Sequence, residues 1–295
     1  MSRAKLDLAD FHIGNLTDFW SLSYTLDKAV AKLRKYGIGR VDLVLLGDIH
    51  DYQNMYPTQV SLTKGVWQAY GAAGLVDWMV EKLKSRGVSV DKIVIVEGNH
   101  DRCLHEGISL TGYLVQALEK IGFRSKVEVY SSAYIDVNGV LYTHSILQRS
   151  LGSYIYGISP RMIREANKLT KRYKVHKIIT GHVHKFGMVR NVHGWVVTIP
   201  SFQIDLSKKE DDRGGALVMD GEDVIPVEPD KALAPEEMDE NLLYEKVLEE
   251  LVEYIKRYWK KSLIPYRACA IKVLYIGLPK KEEGKVWWKL SLIHI

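Results

Sequence analysis

Five short polar motifs hold the residues of this chain best suited to chemistry. They are Asp10-Phe11-His12, Gly47-Asp48-Ile49-His50-Asp51, Gly98-Asn99-His100-Asp101, Thr143-His144 and Gly181-His182-Val183-His184. Asp10, His12, Asp48, Asn99, His144, His182 and His184 together offer two carboxylates, one amide oxygen and four imidazoles, with no thiolate. Mixed oxygen and nitrogen donors suit first-row divalent ions, manganese foremost and otherwise iron, zinc, cobalt or nickel, rather than calcium or a sulfur-ligated cluster. Seven ligands exceed the roughly three that a single catalytic zinc keeps. They suit two divalent ions sharing a carboxylate. Ions about 3.5–4 Å apart can activate a shared hydroxide and clamp both oxygens of an in-line displacement at phosphorus.

Other residues near the motifs carry weaker signals. His50, beside Asp48, either touches substrate or points into water. Cys103 follows the third motif closely, with a structural or incidental role rather than a nucleophilic one. Tyr142 and Phe186 could shape a pocket, although core packing is the default for aromatics next to strands.

Each motif follows or closes a segment with the composition of a strand. Apolar, β-branched runs occupy residues 5–9, 41–46, 92–96, 140–142, 177–180 and 195–199. Helical patterns at residues 26–36 and 74–86 lie among them, the second closed by Gly87. Such alternation predicts an α/β core with largely parallel strands. In open α/β sheets, ligands bind in the crevice beyond the carboxyl ends of the strands. Motifs far apart in sequence can therefore converge on one pocket, with Gly47, Gly98 and Gly181 turning the backbone from strand to loop.

Composition changes after Ser207. Residues 208–212 form a charged turn, residues 216–219 and 224–227 read as short strands, and residues 228–235 read as a linker. A long amphipathic helix is expected over residues 236–261, with Tyr244, Leu248, Leu251, Ile255 and Tyr258 on its buried stripe. Two strand-like runs, 268–276 and 285–293, are expected to pair as a hairpin through a turn at 280–284. The division that follows is a catalytic domain over residues 1–228 and an appendage of linker, helix and hairpin over residues 229–295.

Bulk properties exclude several classes. The chain has 295 residues, 46% hydrophobic and 26% charged, as in ordinary globular proteins. No run of about 18 apolar residues is present to span a bilayer. The opening Met1-Ser2-Arg3-Ala4-Lys5 lacks the apolar core of a signal peptide, and Cys103 and Cys269 form no disulfide framework. A cytoplasmic location is the expectation. A net charge of +5 would help an anionic substrate approach.

The motif series resembles the calcineurin-like metallophosphoesterases, whose pattern runs D-x-H, G-D-x-x-D, G-N-H-D or G-N-H-E, a lone His, and G-H-x-H. Every element occurs here in order, between residues 10 and 184. The resemblance implies an α/β (α+β) fold, a four-layer αββα sandwich of two sheets flanked by helices, with the C-terminal helix and hairpin as an appendage. By the same resemblance Asp10, His12 and His184 would hold one metal, Asn99, His144 and His182 a second, and Asp48 would bridge them. His100 would act as general acid or stabilise charge on the leaving oxygen, while Asp51 would accept its other ring proton and fix the tautomer.

The resemblance implies a phosphoester hydrolase without naming its substrate, since one fold hosts many functions. Serine/threonine protein phosphatases are disfavoured, because they carry Arg-Gly after the second Asp and this chain has Tyr52-Gln53. The loop from Gly47 to Asp51, with Tyr56-Pro57 and Gln59, resembles that of small subunits of archaeal D-family DNA polymerases, which act as 3′–5′ exonucleases. The tail is basic, with Lys256, Arg257, Lys260, Lys261, Arg267, Lys272, Lys280, Lys281, Lys285 and Lys289 around Trp287 and Trp288. Such a set reads as a solvated charged face or as a groove for single-stranded nucleic acid. The first reading is therefore a phosphodiesterase of nuclease type, with nucleic acid as a partner and no membrane. A phosphatase or phosphodiesterase for small nucleotides or other phosphomonoesters is the second, and a non-catalytic, partner-binding subunit the third. Nothing in the sequence sets the oligomeric state.

Overall fold

Two sheets face each other across an apolar layer, and the chain passes from one to the other and back. The computed structural model describes residues 4–15, 17–51, 65–102, 104–105, 107–122, 126–146, 158–203, 214–221, 223–227, 240–259, 264–276, 279–282 and 285–288. β1 (Ala4–Leu8), α1 (Phe19–Lys35) and β2 (Arg40–Leu46) make the first parallel crossover. The Asp18 carboxylate caps α1 by accepting from the Ser21 N–H at 2.9 Å. α2 (Gly65–Ser85) leads to β3 (Ser89–Val96), parallel to β2. A short ladder of β4 (Leu104–His105) with β5 (Ile108–Ser109) precedes α3 (Leu110–Lys120) and β6 (Lys126–Tyr130), which is parallel to β3.

The second sheet is built from β7 (Ala133–Ile135), β8 (Val140–Thr143), β9 (Lys177–Thr180), β10 (Gly187–Asn191) and β11 (Gly194–Thr198). Its order is β10-β11-β9-β8-β7, with β8, β9 and β11 parallel and α4 (Pro160–Tyr173) connecting β8 to β9. The chain then returns. β12 (Ala216–Asp220) and β13 (Asp223–Val227) add an antiparallel pair beside β1, giving the order β13-β12-β1-β2-β3-β6. α5 (Glu240–Tyr258), α6 (Ile264–Ile276) and the hairpin β14 (Pro279–Glu282) with β15 (Lys285–Trp288) follow.

Alternation along the strands divides their side chains between layers. Leu6, Leu8, Leu43, Leu45, Ile93 and Ile95 pack against α1, α2, α3, α5 and α6. Val44, Leu46, Val94, Val96, Tyr142, Ile179 and Val197 fill the space between the sheets. Beyond the second sheet, Met162 and Ala166 of α4 pack on Leu141, Ile178 and Val196. The layers are helices, sheet, sheet and helix, which is the αββα sandwich expected.

The C-terminal region departs from expectation at one element. Residues 268–276, expected as a strand, belong to α6. Ala270, Ile271, Val273 and Leu274 are all buried in the core that α6 shares with α2 and α5. With Arg267 and Lys272 as its only charged residues, α6 has little helical periodicity to read, and its β-branched residues imitate a strand. The hairpin is β14 with β15, and residues 289–293 lie outside those described. α5 buries Leu248, Leu251 and Ile255 as expected, but Tyr258 is 63% exposed, and the side chain of Tyr244 lies outside those described. α5 and α6 approach α2 closely through glycines. A Cβ at Gly71 would lie 2.9 Å from Val273 Cγ1, and one at Gly74 would lie 2.6 Å from Ile255 Cδ1. Among the described residues no helix is long and apolar enough to cross a membrane.

Candidate metal centre

The motif residues stand just beyond the carboxyl ends of β1, β2, β3, β8 and β9. The loops after β1 and β2 continue side by side as a ladder. Asp10 N–H donates to Gly47 O at 3.1 Å, His12 N–H to Asp48 O at 2.9 Å, and Asp51 N–H returns to Ile13 O at 3.0 Å. From the end of β11, Ser201 Oγ and Phe202 N–H both donate to Asp10 O, at 2.8 and 3.0 Å. Phe11 turns away from its polar neighbours into the core and stacks on Phe202 with ring centroids 5.4 Å apart. The one-residue gap in Asp10-Phe11-His12 thus separates an anchor from two site-facing groups.

The backbone here is strained. Asp10 (φ 55°), His12 (φ 51°), Asp48 (φ 47°), His182 (φ 69°) and His184 (φ 62°) all adopt left-handed conformations. Among the described non-glycine residues only Lys174, at the C-cap of α4, does so elsewhere. Such conformations cost on the order of 1–3 kcal/mol each and cluster at functional sites. The glycines have different jobs. Gly47, at φ +76°, is the one of the three that makes a left-handed turn. Gly98 and Gly181 leave room for carboxylates: a Cβ at Gly98 would collide with Asp48, and one at Gly181 would lie 2.7 Å from Asp10 Oδ2.

Of three candidate trios of ligand atoms, one is His12, Asp51 and His100, and the other two approach each other where His12 faces Asp48. Suitable atoms of Asp10, His12 and His184 lie within 4.8 Å of one another, as do those of Asp48, His144 and His182. In the first trio, His12 Nε2 is 3.3 Å from His184 Nε2, and His184 Nε2 is 3.6 Å from Asp10 Oδ1. In the second, His144 Nε2 is 3.0 Å from Asp48 Oδ2, 3.1 Å from Asn99 Oδ1 and 3.2 Å from His182 Nδ1. Asp48 Oδ2 also lies 3.9 Å from His12 Nε2.

The tautomers follow from the outer contacts. His144 Nδ1 sits 2.9 Å from Leu46 O, which can only accept, so that nitrogen carries the proton and Nε2 faces Asp48. His12 Nδ1 likewise donates to Asp51 Oδ1 at 3.1 Å, and Nε2 faces His184. With the rings neutral, lone pairs of oxygen and nitrogen converge at both places, and an arrangement of acceptors alone is repulsive unless positive charge lies among them. The fit to cations is reinforced by Asp10 Oδ1, which is buried with no hydrogen-bond partner among the described residues, while Oδ2 accepts from His182 N–H at 2.8 Å.

The electrostatics carry the same demand. Burial pushes the Asp10 carboxyl up to about 7, and the Asp48 charge adds to this. Burial would raise Asp48 too, but the His144 charge outweighs it and holds that carboxyl well below the usual carboxylate range. Burial disfavours a charged His144, yet the Asp48 carboxylate reverses this and lifts the ring to about 10. Burial drops His182 to about 4 and also lowers His100.

Other candidates separate clearly. His100 N–H donates to Asp48 Oδ1 at 3.0 Å, its Nε2 is 3.9 Å from Asp48 Oδ2, and its ring meets His12 edge-on at 5.0 Å. Asp51 Oδ1, expected to accept from His100, is 3.8 Å from His100 Nδ1 and forms its short contact with His12 instead. His50 points neither to water nor into the trios. It is fully buried, and its ring and backbone N–H both meet Asp101 Oδ1, at 2.8 and 3.1 Å. Asp101 Oδ2 accepts from Gly98 N–H at 3.0 Å, so this carboxylate ties the β2 and β3 loops together, a clamp the motif pattern did not announce. Thr180, which donates to His144 O at 2.9 Å, and Ser201 were equally missed, because lone hydroxyl residues carry no sequence signal. Tyr142 is wholly buried between the sheets, and Phe186 is partly buried against the same apolar layer. Cys103, residues 52–64 with Tyr56-Pro57 and Gln59, and Lys289 lie outside the described residues.

No family model matches the chain, and no curated protein matches it significantly. Among solved structures it is similar to a hypothetical protein, PH1004, from Pyrococcus horikoshii OT3, at 15% identity and a TM-score of 0.45, over 93% of this chain and 98% of that one. An archaeal phosphodiesterase aligns at 11% identity and a TM-score of 0.38, over 76% and 99% of the two chains. Yfce, a phosphoesterase from E. coli, aligns at 14% identity and a TM-score of 0.35, over 74% and 88%. In its layering and the gathering of its motifs at one end of the strands, the chain matches the αββα sandwich expected from its resemblance to the calcineurin-like metallophosphoesterases.

Proposed function

We propose that this chain is a metal-dependent phosphoester hydrolase, acting as a phosphodiesterase of nuclease type. The observation that carries the reading is the approach of two ligand trios to each other at one buried carboxylate, Asp48. Asp10, His12 and His184 would hold one divalent ion and Asn99, His144 and His182 a second, with Asp48 shared. Bound there, the ions, manganese foremost, would supply Lewis acidity that activates water and neutralises charge on a phosphate.

The chain's own residues do the positioning. The Leu46 carbonyl orients His144 and the Asp51 carboxylate orients His12, so that both present Nε2 inward. His100, fixed by its backbone bond to Asp48, offers its ring N–H toward a leaving oxygen. A diester is favoured over a phosphoprotein because Asp51 is followed by Tyr52-Gln53, which supplies no guanidinium fork for a dianionic monoester.

The test incubates the purified chain plus Mn²⁺ with bis-p-nitrophenyl phosphate, p-nitrophenyl phosphate and end-labelled single-stranded DNA. Hydrolysis of the diester and the DNA is expected. Turnover of the monoester alone would discard the nuclease reading in favour of a phosphatase. A protein that binds no metal and turns over no phosphoester would be a non-catalytic subunit.

A further inference from the structure

The net charge of the chain is concentrated on one helix. Of the 41 basic and 36 acidic residues, the fifteen from Pro160 to Lys174 include six basic and one acidic, leaving the rest of the chain with equal numbers. Arg161, Arg164, Lys168, Lys171, Arg172 and Lys174 are all exposed. At 100° per residue, the first five fall within a single arc of about 100°. Met162, Ala166 and Thr170, four residues apart, are buried on the opposite side. Glu165 is the acidic residue, and it pairs with Lys168 at 2.8 Å. Arg161, Arg164, Lys171 and Arg172 form no ion pair with any other described residue. The helix itself is firmly set. Ser159 caps it by accepting from Met162 N–H at 3.2 Å, Pro160 opens it, and Lys174 closes it in a left-handed conformation.

The direction of this stripe connects it to the candidate metal centre. α4 joins two parallel strands, β8 and β9, and therefore runs antiparallel to them, starting at their carboxyl ends. Those ends carry His144, His182 and His184. Ile158, just before the helix, lies beside Gly187, where a Cβ would be 3.0 Å from Ile158 Cγ1, only three residues beyond His184. From Arg161 the basic residues extend away from the centre for about 16 Å at the rise of an α-helix.

We infer that this stripe of α4 binds the phosphodiester backbone of a nucleic-acid strand and leads it to the metal-ligating end of the sandwich, an inference that rests on the phosphodiesterase reading above. Evenly spaced exposed cations with one acidic neighbour are complementary to a polyanion of regular repeat and carry no base-reading geometry. Their apolar face is already buried on the second sheet, which leaves the helix nothing to insert into a lipid surface.

The test measures fluorescence anisotropy of labelled oligo(dT)30 with the full chain, against the triple variant Arg164→Glu, Lys168→Glu, Lys171→Glu. All three positions are exposed on a capped helix, and a second triple variant to Gln guards against any loss of structure from charge reversal. The charge-reversed chain should bind about tenfold or more weaker at 100 mM salt. Its plot of log Kd against log salt should be flatter by about two, the value for three lost phosphate contacts on a single strand. The Gln variant should fall between, and bis-p-nitrophenyl phosphate turnover should be unchanged in both. Unaltered DNA affinity in folded variants would overturn the inference. So would binding to phosphatidylglycerol vesicles that disappears in the variants while the wild type ignores DNA. Absence of diester turnover by the wild type would count against the functional reading alone, because the stripe is read by affinity.

Discussion

Asp48 receives the His100 N–H on one oxygen and the His144 ring on the other, and it has this room because position 98 carries no side chain. Gly98→Ala is therefore expected to lose bound metal, measured by elemental analysis after gel filtration, while its far-ultraviolet circular dichroism stays that of the parent. His100→Ala should do the reverse. It keeps its metal and loses roughly 10²–10⁴ in diester turnover, the size of an acid–base contribution. At this scale the sequence marks the seven candidate ligands, because Asp, Asn and His at strand ends have few structural reasons to be there, and the structure gathers them at one end of the strands. It does not mark the residues behind them. His50 looked like a loop histidine and is buried against Asp101, and Asp51 serves His12 more closely than His100. Which of two neighbouring rings a carboxylate meets is decided by ångström-level packing of separate loops, and no spacing encodes it.

Helices and strands were legible where their periodicity was unmixed. β2, β3, β8 and β9 are apolar runs found nearly where expected, since strands buried on both faces need no alternation. α6 failed for the opposite reason, being a helix packed on α2 and α5 with only Arg267 and Lys272 to mark a polar side. α4 does carry a legible signal, with Ser159-Pro160 at its start and Met162, Ala166 and Thr170 at four-residue spacing. The contact between α2 and α6 gives an element-scale prediction. Gly71 faces Val273 and Ile13, both β-branched and stiff about χ1, so an added side chain cannot be accommodated by a simple rotation. Gly71→Leu should cost about 1–3 kcal/mol by overpacking, read as a lower urea midpoint. A shift confined to unfolding of the C-terminal helices would show that α5 and α6 melt separately from the sheet they cover.

Across the whole molecule, the candidate metal ligands and a second set of buried ionisable groups occupy opposite ends of the inter-sheet layer. At the start of the strands, Lys5, Asp7, Asp42 and Lys177 are buried, and Lys5 Nζ meets Asp136 Oδ2 at 2.5 Å. Neither oxygen of Asp7 has a hydrogen-bond partner among the described residues, and burial raises its carboxyl well above the ordinary range, against the pull of Lys5. A raised folded-state value means the native chain keeps a proton that the unfolded chain releases near pH 4. The associated stability is complete below that pH and is lost as pH rises toward the folded value, at a limiting slope of about 1.4 kcal/mol per pH unit. Asp10 adds a dependence of the same sign, so Asp7→Asn should weaken the trend rather than abolish it, with urea titrations at pH 4, 5 and 6 diverging less for the variant than for the parent. Equal slopes in both would place the proton elsewhere. At the other end, Asp10, His12 and Asp48, three of the five site residues with left-handed backbones, are held by main-chain bonds such as His12 N–H to Asp48 O, which need no ion. The conformational work of shaping that end is done when the chain folds rather than when a cation arrives. Loading then requires little rearrangement, and a chelator should strip the ions from a scaffold that stays native and refills directly, without passing through an unfolded chain.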